Sequence, residues 1–317
     1  MQYYWGESDI SPLFLFFINT NVYTHQVIAP IPMQKLSKVI LVLILILSLS
    51  YCASDNPASS FDYNETDPTD TLEPGDLIWS DEFNTPGSPN SSNWTYDIGH
   101  GSGGWGNNEV QYYTDEQKNV RVENGLLIID AIKESGEWTS ARVKSEGLQS
   151  FRYGTIKARA KLPEGSGTWP AIWMLGSNYK DIGWPASGEI DIMEHVGKDP
   201  GVVHSALHTP SSYGNTQNKG QTAVPDFHDE FHIYEAVWTP ESIIFKVDGE
   251  SFYTYNPSTK NSDTWPFHNE FFLIMNIAMG GNWGSDPQFE TGGMKNGIDP
   301  DLTHARMEID YVRVYKN

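Results

Sequence analysis

From Asp76 onward the chain is written in short runs where apolar and polar residues alternate, broken by clusters of Gly, Pro, Asn and Asp. A period of two is the mark of half-buried strands, and such clusters mark the turns between them. Leu77 to Trp79 opens the pattern. Asn119 to Val122 and Leu126 to Ala131 flank Glu123-Asn124-Gly125, a hairpin signal. Thr139 to Val143, Gly154 to Ala160, Trp169 to Met174, His204 to His208, Phe231 to Trp238, Ile243 to Val247 and Met307 to Tyr315 follow. Phe271 to Met279 is almost unbroken apolar sequence, as expected of a strand covered on both faces. No long stretch repeats at the helical period after residue 76. The pattern predicts an all-β sandwich.

One run departs from simple alternation. In Gly188-Glu189-Ile190-Asp191-Ile192-Met193-Glu194-His195, Glu189 and Asp191 share a face opposite Ile190 and Ile192. Strict alternation would put Glu194 on the isoleucine face, buried and unpaired, which is costly. A one-residue bulge near Met193 would return Glu194 to the side of the other two acids. Three carboxylates on one strand face suit glycoside hydrolysis, in which one attacks the anomeric carbon and another protonates the leaving oxygen. A solvated acidic face and a carboxylate metal site fit the same spacing. Trp169, Ala171 and Trp173 likewise share one face, so two indoles stand together either in a core or against sugar rings.

Charge and the first 75 residues narrow the setting. The formal charge of −21 argues against nucleic acid and anionic membrane surfaces as partners. Lys35 and Lys38 precede the apolar run Val39 to Leu49, which is too short to span a membrane and reads as an export signal. Met33 is then a candidate true start. Residues 1–52 are expected to be an extension plus signal, 53–75 an acidic Ser/Thr/Pro-rich tether, and 76–317 one folded domain. Cys52 is the sole cysteine, so no internal disulfide can form. Leu49-Ser50-Tyr51-Cys52 resembles a bacterial lipobox, with Tyr51 in place of the usual small residue. The expectation is an exported lipoprotein, at the cell surface or in the periplasm and anchored to the outer membrane, or otherwise a secreted protein.

Trp184-Pro185-Ala186-Ser187-Gly188-Glu189-Ile190-Asp191-Ile192-Met193-Glu194-His195 closely resembles the signature of glycoside hydrolase family 16, laminarinase branch. Gly104-Trp105-Gly106-Asn107-Asn108-Glu109 and Gly280-Gly281-Asn282-Trp283-Gly284 match further motifs in order, and the resemblance runs from about Asp76 to Tyr315. It implies a jelly roll of two curved antiparallel sheets whose concave face forms a glycan cleft. It implies Glu189 as nucleophile, Asp191 as its helper and Glu194 as acid/base. Asn108, Arg142, Trp169, Trp173, His208 and Trp283 would line the cleft. After His208 the motif's usual aromatic is replaced by Thr209-Pro210. Glu82, Gly125 and Asp310 match positions that hold a structural calcium in relatives, while catalysis would need no cofactor.

The implied activity is a monomeric, retaining endo-β-1,3-glucanase acting on laminarin-type glucan. Another family specificity, for mixed-linkage glucan or an algal galactan, is the alternative within the class. A non-catalytic glycan-binding lipoprotein is the alternative outside it.

Overall fold

The computed structural model describes residues 76–317. The expected extension with Met33, the export signal, Cys52 and the tether lie outside the described residues. The rest forms two sheets, of ten and seven strands. In spatial order the larger runs Glu250–Tyr255, Ile243–Val247, His232–Trp238, Gly154–Lys161, His304–Tyr315, Leu126–Glu134, Glu137–Ser140 and Tyr112–Tyr113. Leu77–Asp81 adds to His304–Tyr315 and Val120–Glu123 to Leu126–Glu134. The smaller runs Lys219–Ala223, Val202–His208, Glu189–His195, Thr168–Gly176, Phe271–Met279, Arg142–Lys144 and Thr95–Asp97. Strands adjacent in space are often distant in sequence, and the arrangement is the expected jelly-roll sandwich.

Alternation decides which side chains meet between the sheets. Ile172, Met174, Ile190, Leu273, Met275 and Ile277 of the smaller sheet join Leu127, Ile129, Ile156, Tyr234 and Phe245 of the larger in one core. Each such side chain contributes about 1.5–3 kcal/mol by leaving water. Phe271–Met279 is buried along its whole length, as its apolar run predicts. Its cleft-side residues Phe272 and Ile274 form a small second cluster with Leu175, against which Trp173 and Tyr179 pack. Asn124 and Gly125 both have positive φ, so the Asn-Gly hairpin turns as its sequence demands.

One predicted strand is really two. Thr139 to Val143 divides at Ala141: Glu137–Ser140 belongs to the larger sheet and Arg142–Lys144 to the smaller. A continuous alternating pattern suits either sheet, so the crossing is invisible in sequence. It carries Arg142 and Lys144 onto the cleft side.

Candidate active site

The acid strand Glu189–His195 sits in the smaller sheet, between Val202–His208 and the tryptophan strand Thr168–Gly176. Asp191 pairs in register with Trp173 on one side and Ala206 on the other. Glu194 pairs with Ala171 and His204, one residue later than regular pairing would allow. The extra residue is the expected bulge. Ile192 and Met193 both turn into the core, at 1% and 0% exposure. Glu194 therefore returns to the cleft side with Glu189 and Asp191. Ser205 lies opposite the slip and donates its hydroxyl to the Ile192 carbonyl at 2.7 Å. That bond satisfies a carbonyl at the position where the ladder is broken.

The three acids are short of cations. Burial and the Asp191 charge push the Glu189 carboxyl up to about 7 and that of Glu194 up to about 8. Burial is the larger cause in both. Trp169 tempers Glu194 by donating its indole N–H at 3.0 Å. His208 reaches both of the other acids, with Nε2 3.1 Å from Asp191 and 3.4 Å from Glu189.

Two influences on His208 disagree. Burial opposes its charging, but bonding to Asp191 and the charges of Glu189, Asp191 and Glu194 outweigh burial and hold its pKa up to about 9. The Gly214 amide, however, donates to Nδ1 at 3.1 Å, which requires a lone pair there. The amide is fixed by the backbone, whereas the carboxylate pull fades as the raised glutamates take up protons. The contact at Nδ1 therefore sets the orientation of the ring, with Nε2 facing Asp191 and Glu189.

Around the acids the aromatic residues are locked by polar contacts. Trp169 and Trp173 lie on the cleft side, half-buried, while Ile172 and Met174 between and beyond them point to the core. The Trp173 indole donates to Asn276 at 2.8 Å, Asn276 to Tyr113 at 3.1 Å, and Tyr113 to Glu109 at 3.2 Å. The Arg142 guanidinium is stacked between Trp105 and Trp173, 4.8 and 4.7 Å from their ring centroids, and pairs with Asp97 at 3.0 Å. Trp105 takes φ 55° on the glycine-rich loop. Its ring lies so close over Gly101 that a Cβ there would approach it to 2.5 Å. Trp283 meets Trp169 edge to face at 5.6 Å. Asn108 donates to Asn282 at 2.8 Å, joining the two glycine-rich loops. Thus Trp169, Trp173, His208, Arg142 and Trp283 gather round the acids, and Asn108 braces the loops beside them.

The model for glycosyl hydrolases family 16 matches residues 104–313. The beta-glucanase of Rhodothermus marinus is 44% identical over 266 residues, 79% of this chain and 88% of that protein. The chain belongs to glycoside hydrolase family 16. Among solved structures in the family, the laminarinase from Flavobacterium sp. UMI-01 superposes with TM-score 0.70 at 43% identity, over 76% of this chain and 100% of that one. The laminarinase from Rhodothermus marinus gives TM-score 0.69 at 44% identity, over 76% and 97%.

Two of the residues that the family resemblance assigns to calcium, Glu82 and Asp310, carry arginine partners. Glu82 is held by Arg313 through two bonds of 3.0 Å, and Asp310 by Arg159 at 2.7 Å. Among the described residues one acidic group converges as metal ligands do. It consists of Glu189, Asp191 and His208, with ligand atoms within 4.8 Å of one another. The histidine, not Glu194, is its third member.

Sequence reasoning passed over Trp105, Trp184 and Asn276 as site residues. Asn276 had left a signal, since it is the one polar residue in an otherwise apolar strand. Trp184 and Trp105 stood inside recognised motifs, but the fold had to show which way they turn.

Proposed function

We propose that this family 16 enzyme is an endo-acting β-1,3-glucanase that hydrolyses laminarin-type glucan with retention of configuration. The observation that carries the mechanism is the bulge, which sets two protonatable glutamates either side of Asp191 on one cleft face. Glu189, the acid that ionises first, attacks the anomeric carbon. Glu194 keeps its proton longer, donates it to the leaving oxygen, and then takes a proton from the water that releases the sugar. Asp191 and His208 hold the charge balance between the two steps. The indoles of Trp169 and Trp173 offer flat apolar faces to sugar rings, and the protein's own carboxyls do the chemistry without a metal step.

The β-1,3 preference is supported by the relatives, which include laminarinases. Anchoring through Cys52 to the outer membrane, with export by the segment before it, is proposed from the sequence pattern alone. Reducing-sugar release across laminarin, mixed-linkage glucan, agarose and carrageenan tests the substrate. Proton NMR of the first product tests the mechanism. An initial β-anomer is expected, and an initial α-anomer would overturn Glu189 as nucleophile.

A further inference from the structure

At the edge of the cleft bordered by Val202–His208, two large aromatic side chains stand in water beside the acids. Trp184 is 45% exposed and Tyr213 is 55% exposed. Their rings meet edge to face, 5.4 Å apart. Trp184 also lies 5.7 Å from the His208 ring, and His208 reaches Glu189. The pair therefore continues the active site outward without a gap. Single exposed aromatics are ordinary, but a contiguous pair extending a catalytic cleft points to a ligand.

The loop 209–218 is built to keep Tyr213 out. Thr209 and Ser212 exchange backbone hydrogen bonds of 2.9 and 3.0 Å, and the Ser211 amide donates to Asp263 at 2.9 Å. The Thr216 hydroxyl donates to the Leu207 carbonyl at 2.9 Å, and the Gln217 amide to the Ser212 hydroxyl at 2.8 Å. Next to Tyr213, Gly214 ties the loop to His208. A loop fastened at so many points holds the Tyr213 backbone in place, and its ring stays exposed although burial would gain about 25 cal/mol per Å². A pyranose ring supplies the missing cover, since its C–H face is apolar and its hydroxyls remain at the edge in water.

We propose that Tyr213, backed by Trp184, is a stacking platform for one pyranose ring of the glucan, beyond the two sugars joined by the scissile bond. The proposal rests on the glucanase reading given above. The aromatic face is what matters, and the phenol hydroxyl is dispensable.

The test uses laminarihexaose with the wild type, Tyr213→Ala, Tyr213→Gln and Tyr213→Phe. Tyr213→Ala is expected to raise KM about tenfold, with kcat changed less than about twofold, and to move the main cut along the hexasaccharide. Tyr213→Gln keeps the bulk without the ring and serves the same purpose should the alanine variant fail to fold. Tyr213→Phe should keep the wild-type KM. Calorimetric binding of laminarihexaose in a Glu189→Gln background should show the same loss without turnover. Wild-type KM and cut position in both Tyr213→Ala and Tyr213→Gln would overturn the platform, as would an equal loss in Tyr213→Phe. Failure of the wild type itself on laminarihexaose and laminarin would instead overturn the glucanase reading, and the platform with it.

Discussion

Two buried aspartates, one in each sheet, have opposite surroundings. Asp130 in the larger sheet is held by Arg121 at 2.8 Å, by Arg306 at 2.8 and 3.0 Å, and by His304 at 2.7 Å. Burial works against its charge, yet Arg306, Arg121 and His304 together hold its carboxyl below the usual range. Asp191 in the smaller sheet is buried too, but its close neighbours are two glutamates and a single histidine, with no arginine bonded to it. The first arrangement spends cations to keep a charge quiet and the sheet together. The second withholds them, and the consequence appears in Glu189 and Glu194, which retain protons where exposed carboxyls would not. A carboxylate that serves structure is paired, and one that must exchange protons is left unpaired.

The largest effect that would break this contrast lies at the glutamates. Glu189→Gln and Glu194→Gln should each lower laminarin hydrolysis about a thousandfold or more, with no loss of melting temperature. An activated glycosyl donor should partly restore the first step in Glu194→Gln and not in Glu189→Gln. Rescue of Glu189→Gln would reverse the roles.

Asp130→Ala should do the opposite. It removes the acid shared by Arg306, Arg121 and His304, although Arg121 keeps Glu123, so urea denaturation should show a loss of about 1.5–3 kcal/mol. The pH dependence of activity should not move, and a shifted profile would link the two clusters.

The pH profile sharpens the comparison further. Activity should rise as Glu189 loses its proton, near pH 7, and fall as Glu194 does, near pH 8, both values belonging to the coupled set. Asp191→Asn removes a negative charge that raises both, so both limbs should move to lower pH with measurable activity left. Limbs that stay in place would show that burial alone sets them.

The smallest effect is at Trp169. Trp169→Phe keeps a flat ring but removes the N–H that lowers the Glu194 pKa. The alkaline limb should shift upward by a fraction of a unit in kcat against pH.

The sandwich, its strand order along the chain and the three acids could be read from alternation, turn residues and one recognisable signature. Even the bulge was legible, because burying Glu194 unpaired costs more than breaking a ladder. The turn at Asn124-Gly125 was equally local, since it depends only on backbone sterics.

What the sequence could not supply were relations between distant residues. His208 lies in register with Glu189 but also reaches Asp191, and a single amide at Gly214 sets its orientation. The relay from Trp173 to Glu109 joins four elements, and the Arg142 stack requires a strand that changes sheets at Ala141. The arginine partners of Asp310 and Glu82 were hidden for the same reason, because Arg159 and Arg313 reach them only across paired strands. Local pattern determined which residues face the cleft, since that follows from strand period and the cost of burying charge. Tertiary packing alone decided what each one touches, since pKa, proton position and ring orientation depend on neighbours brought from elsewhere in the chain.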